Sequence, residues 1–119
     1  MTIKVKRIYD PVEPDDGLRF LVDRLWPRGI SRESARIDRW LPDIAPSHAL
    51  RKWFAHKDAL WPQFCSRYWA ELEAKPEIWQ PLLDLAQKYP ITLLYSAKNR
   101  IHNNAVALRD FLLSRMKQK

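Results

Sequence analysis

Two short segments hold most of the side chains able to do chemistry. In LVDRLWPRG, Arg24 and Arg28 stand four apart, with Trp26 and Pro27 between them and Asp23 just ahead. A guanidinium is a rigid fork of donors that suits carboxylate or phosphate, and an indole face holds a guanidinium or a flat ligand. Asp23 is placed to orient one of these arginines, or else to tie the turn to a helix through an internal ion pair. In LLYSAKNRIHNN, the residues Ser96, Lys98, Asn99, His102, Asn103 and Asn104 gather around an expected helix start. Free amides and the helix dipole attract anions at such a point. Histidine suits acid–base work near neutral pH, although a lone one more often serves a cap or a core hydrogen bond. Ser96 is a hydroxyl donor, and becomes a nucleophile only with a base in reach. Together these residues describe an anion site. Arg24, Trp26, Arg28, Lys98, Asn99 and Asn103 are its candidate ligand contacts, and His102, Ser96 and Asp23 its candidate catalytic groups.

Other chemistries find little here. The chain of 119 residues has one cysteine and two glycines. No internal disulfide or multi-cysteine zinc site can form, and neither GxGxxG nor GxxxxGK is present. His48 and His56 are eight apart in a proline-broken region and His102 is distant, so no metal-ligand spacing recurs. Neither metal nor cofactor is expected. Cys65 lies within an apolar helical stripe and reads as a small core residue. The first residues alternate charged and apolar types, unlike a signal peptide, and no run reaches the roughly 18 apolar residues of a membrane span. A cytoplasmic protein that avoids membranes is the expectation. Its formal charge of +7 favours anionic partners. An anionic small molecule comes first and nucleic acid second, the latter drawn to the basic stretch from Lys98 onward. Nothing in the pattern sets an oligomeric state.

The elements that must position the two segments follow from periodicity. IKVKRI (3–8) alternates as a half-buried strand, DPVEPDDG is a loop, and LRFLV (18–22) is a second strand. Ser31 opens a short helix to about Trp40. Pro42 and Pro46 then break the chain, and Ser47 caps a helical turn through Phe54. Trp61, Phe64, Cys65, Tyr68 and Leu72 form an apolar stripe at helical spacing, capped by Asp58. Trp79, Leu82, Leu83 and Ala86 mark another helix, with Pro81 in its first turn or kinking it. ITLLY (91–95) is a continuous apolar run that fits a central strand covered on both faces. Asn99 is the expected cap of a last helix reaching Met116, with Ile101, Ala105, Leu108 and Leu112 buried.

The fold class predicted is α/β: one domain over 1–119, with a small three-stranded, mainly parallel sheet and four or five flanking helices. Helices separate 18–22 from 91–95, so these strands should be parallel neighbours. Their following loops then leave the same edge of the sheet, where ligands bind in open α/β folds. The direction of the first strand stays open. Trp40 and Trp53 either cover this edge or pack as a satellite cluster.

LVDRLWPRGIS, WLPDIAPSHALRKWF and LLYSAKNRIHNNAVAL together resemble the YeaO-like proteins, a bacterial branch of a family catalogued as a domain of unknown function. The resemblance runs from about Ile3 to Leu113 and brings no established activity. A broader branch resembles a variant with Asp-x-Arg after the second strand and cysteine, acid and a Cys-His-Arg run near the end. This chain has Asp23–Arg24, Ser96 and His102–Asn103–Asn104 instead, so thiol chemistry is not implied. The function expected is a small enzyme, or enzyme-derived domain, that binds a phosphorylated or nucleotide-like anion. The alternatives are a nucleic-acid module using the last helix and a Trp-rich protein-interaction domain.

Overall fold

The structure, a computed structural model, describes residues 3–116. Its centre is β4 (Ile91–Tyr95), all five residues of which are buried, as a continuous apolar run requires. β1 (Ile3–Arg7) pairs with one side of β4 and β2 (Leu18–Leu21) with the other, both parallel to it. The open direction of the first strand is thereby settled. The sheet has four strands, not three, because β3 (Arg39–Trp40) joins β2 in parallel at the edge, in the order β1-β4-β2-β3.

β3 lies where the sequence pattern suggested helix. The helix that Ser31 caps, α1 (Arg32–Ala35), lasts one turn, and Arg36 then takes a left-handed φ of 48°. An isolated helix of ten residues is marginal without an apolar face to bury. The free edge of β2 offers the backbone a better use: the amide of Asp38 donates to the Arg19 carbonyl (2.7 Å) and that of Leu41 to the Leu21 carbonyl (2.8 Å).

Four longer helices complete the fold: α2 (His48–Phe54), α3 (Trp61–Glu73), α4 (Pro76–Lys88) and α5 (Asn104–Met116). They cover one face of the sheet, where Phe20, Val22, Leu93 and Tyr95 meet Phe64, Tyr68, Leu108 and Phe111. The other face is covered near its carboxyl edge by Ile8, Leu21, Ala35 and Leu94 with Trp26 and Trp40. Toward its amino edge it carries a polar centre built on Asp16, Arg19 and Thr92, all buried. At this edge Gly17 has a φ of +66°, and a Cβ there would lie 2.0 Å from the Pro90 carbonyl oxygen. Only glycine lets β2 start so close to the residue preceding β4.

Two helix starts differ from expectation. α4 begins at Pro76, which puts Pro81 in the second turn, on an exposed position. α5 begins at Asn104, so Ile101 stands in the preceding loop and is 72% exposed instead of buried. Asn103 closes the first turn by accepting from the Val106 amide at 2.9 Å. Asn99 caps only the loop, accepting from the amides of Ile101 and His102.

Candidate functional site

Because β2 and β4 are parallel, Asp23 and Ser96 emerge side by side. The Asp23 carboxylate joins the two strand ends directly: Oδ2 accepts from the Ser96 amide (2.9 Å) and hydroxyl (2.8 Å). Its Oδ1 accepts from Asn104 Nδ2 (3.1 Å), which also donates to the Val22 carbonyl (3.0 Å). Asp23 therefore fastens β2, β4 and the start of α5 together. It orients no arginine, contrary to both readings of its sequence position.

Two hollows flank this junction. The inner one, about 240 Å³, is walled by Phe54 and Phe64, with Arg24, Arg51, His56 and His102 contributing polar groups. The outer one is an open cleft of about 650 Å³ lined by Arg7, Tyr9, Trp26, Arg28, Arg51 and Lys98. Asp23, Ser96 and Arg51 face both, and among the described residues Asp23 is the only acid lining either.

Arg24 and Arg28 are not brought to one point. Arg24 turns inward, its Nη2 reaching the carbonyls of Ala45 and Pro46 at 3.4 Å each, while its buried Nε has no partner. Arg28 is exposed beside the outer cleft, where its backbone carbonyl accepts from the Tyr9 hydroxyl. Trp26 shapes the turn: Nε1 donates to the Ile30 carbonyl, Trp40 meets it edge-on, and the Arg32 guanidinium lies 4.5 Å from its centroid. Trp40 and Trp53 line neither hollow. Trp40 donates to the Asp23 carbonyl, and Trp53 packs under Arg67.

His102 is held on the far wall of the inner hollow. Its Nδ1 lies 2.9 Å from Asp58 Oδ1, and its ring stacks on Trp61 at 4.7 Å. Asp58 thus serves His102 and Asn99 (3.0 Å) rather than capping α3. The three candidate catalytic residues consequently do not form one relay: the Ser96 hydroxyl donates to Asp23, whereas His102 is paired with Asp58. Asn99 and Asn103 are engaged within the loop, Asn103 Nδ2 donating to the Asn99 carbonyl. Lys98 is exposed on the outer side.

The match with a family model covers residues 2–119, under the description "Inactive DUF488-N3 subclade". The chain belongs to that family. It is 47% identical to the uncharacterised protein YeaO of Escherichia coli over 96% of this chain and 99% of that protein. An uncharacterised protein of Mycobacterium bovis is 34% identical over 95% of each chain, and one of Mycobacterium tuberculosis is equally similar. No solved structure matches.

In this DUF488-N3 chain several site residues escaped the sequence reading. Arg7 ends β1 and reaches the edge only because β1 is parallel. It donates to the carbonyls of Ser96 (3.0 Å) and Ala97 (2.9 Å). Arg51 and His56 arrive through α2, whose wall position depends on the cap by Ser47 and the hold of Glu71 on that serine. Ala55 and His56 both take left-handed backbone angles, φ 47° and 58°, which bring His56 back over the hollow. Chemically inert groups are also identified. Burial pushes the Cys65 thiol up to about 11, so no thiolate forms near neutral pH. The basic residues of α5 are engaged: Arg109 with Asp110, and Arg115 with Glu73 and the face of Phe111. No tryptophan is exposed. No helix among the described residues is long and apolar enough to cross a membrane.

Proposed function

We propose that this protein binds a phosphorylated or nucleotide-like anion at the carboxyl edge of its sheet, and that it does so without turning the ligand over. One observation carries the reading. Asp23, the sole acid of the two hollows among the described residues, is spent on the neutral donors Ser96 and Asn104, so Arg24, Arg28, Arg51 and Lys98 stand around it with no carboxylate of their own. Uncompensated cations at a strand edge draw anions, and arginine adds the geometry that phosphate prefers.

The arrangement favours holding over catalysis. A serine whose hydroxyl hydrogen points to a carboxylate that also takes its backbone amide is a positioned acceptor, not a nucleophile paired with a base. His102 is fixed by a different acid and by Trp61. The family's own description as inactive supports the same choice. A reducing cytoplasm, where such anions are abundant, fits a protein whose lone thiol is kept protonated.

Thermal unfolding in the presence of inorganic phosphate, phosphomonoesters and nucleotides tests the proposal. A ligand at a hundred times its Kd adds about 2.7 kcal/mol, enough to raise Tm by several degrees. The wild type should shift, and Arg28→Ala and Arg51→Ala should shift less at the same concentration. A flat response to every anion in the set would end the proposal.

A further inference from the structure

The inner and outer hollows share a wall made by Asp23, Ser96 and Arg51, yet they differ in character. Ligand pockets commonly enclose about 300–1,000 Å³. The inner hollow, at about 240 Å³, is small for a complete ligand, and the outer cleft is too open to bury one. Taken together they reach an ordinary size.

Their linings divide the work. The inner wall is mixed: Phe54 and Phe64, both buried, pack with centroids 4.5 Å apart, Ala45, Pro46 and Ala97 continue an apolar patch, and His56, His102, Asn103 and Asn104 add polar groups. A flat ring with polar edges suits such a lining, its faces leaving water and its edge meeting the polar groups. The outer cleft is open and carries exposed cations. Arg28, Arg51 and Lys98 are all exposed and form no ion pair among the described residues. A phosphate placed there keeps part of its hydration, whereas the smaller, more enclosed inner hollow would strip more of it away. On the shared wall, Ser96 gives its hydroxyl hydrogen to Asp23 and keeps lone pairs that can accept from a ligand hydroxyl.

We propose that one ligand spans both hollows, with a flat ring in the inner one, a hydroxyl-bearing linker over Ser96, and a phosphate on Arg28, Arg51 and Lys98. That is the chemistry of a nucleoside monophosphate. The assignment rests on the anion-binding reading of this edge and adds the ring to it.

Calorimetric titration of the full chain with the four nucleoside 5′-monophosphates, their nucleosides, ribose 5-phosphate and inorganic phosphate separates the two. At least one monophosphate should bind tenfold or more tighter than its nucleoside and than both base-free phosphates. The double variant Arg28→Ala/Lys98→Ala should weaken that monophosphate at least tenfold and leave the nucleoside unchanged. Ala97→Leu, which narrows the inner hollow, should bring the monophosphate down to the level of ribose 5-phosphate. His56→Ala, at an exposed position on the same rim, provides a second inner-hollow variant if Ala97→Leu unfolds, and should weaken the nucleoside and monophosphate alike while sparing ribose 5-phosphate. If base-free phosphates bind as tightly as every monophosphate, the ring assignment is wrong and the anion-binding reading stands. If no phosphate compound binds, both are wrong.

Discussion

Asp16 precedes β2 and Asp23 follows it, and the two carboxylates treat the surrounding positive charge in opposite ways. Asp16 is buried and surrounded by cations: Lys6 at 2.9 and 3.1 Å, Arg19, and Lys4 at 3.4 Å, with the Glu13 amide at 3.1 Å. Glu13 and Asp15 complete the neutralisation by pairing with Lys6 and Lys4. Asp23 accepts only from neutral donors, and the basic residues beside it keep their charge. The amino-edge cations around Asp16 are thus matched, whereas Arg28, Arg51 and Lys98 beside Asp23 form no ion pair among the described residues, although Asp10 pairs with Arg100 at the same carboxyl edge. Charge count alone does not mark a binding site. What marks it is the absence of a closing carboxylate. The three acids Glu13, Asp15 and Asp16 also lie within reach of one another, but the lysines and Arg19 already occupy them.

The sharpest way to break this contrast is to remove each aspartate. Asp16→Ala leaves Arg19 buried with only the Ala35 and Arg36 carbonyls for company. Breaking a buried pair from one side costs about 3–5 kcal/mol, and urea unfolding should show a loss of that size. A loss below about 1 kcal/mol would mean that the amino-edge centre holds nothing together. Asp23→Ala should cost less, about 2–3 kcal/mol, because water can reach the half-buried donors it orphans. Its signature is local: the Ser96 amide should exchange with solvent faster, while amides of the β1–β4 ladder change little. An unchanged Ser96 amide would show that Asp23 does not fasten the strand ends.

The same contrast explains what could be seen in the sequence. Strands and long helices were legible where burial imposes a period, as in ITLLY and in the stripe from Trp61 to Leu72. The shared edge was legible because helices between two apolar strands force parallel pairing. β3 was not, since two residues have no period and form a strand only because β2 leaves an edge open. Partner choice was the hardest part. Asp23 stands next to Arg24 in sequence, yet the strand end directs its carboxylate across to β4, seventy-three residues away. Asp58 has the position of a cap, yet it faces His102 across the fold. Side-chain partners are fixed by tertiary position, and local sequence offers several for each.

Acid provides the smallest of these effects and the cleanest separation of the two edges. Burial pushes the Asp16 carboxyl upward, but hydrogen bonds from Lys6, the Glu13 amide and Arg19 outweigh it and hold it at about 2. In the unfolded chain an aspartate titrates near 3.9. As pH falls below about 5 the unfolded chain therefore takes up this proton first, and stability drains until both states are protonated, below pH 2. The gap between the folded and unfolded values is worth between about 2 and 3 kcal/mol, present in full above pH 5. Asp10, lowered by its hydrogen bonds with Arg100, loses stability in the same direction, so wild type alone does not isolate Asp16. Comparison with Asp16→Asn does. The gap in unfolding free energy between the two proteins should narrow by about 2 kcal/mol from pH 6 to pH 2. A gap that stays constant over that range would show that the cations around Asp16 do not depend on its charge, and the division between a neutralised edge and an open one would fail.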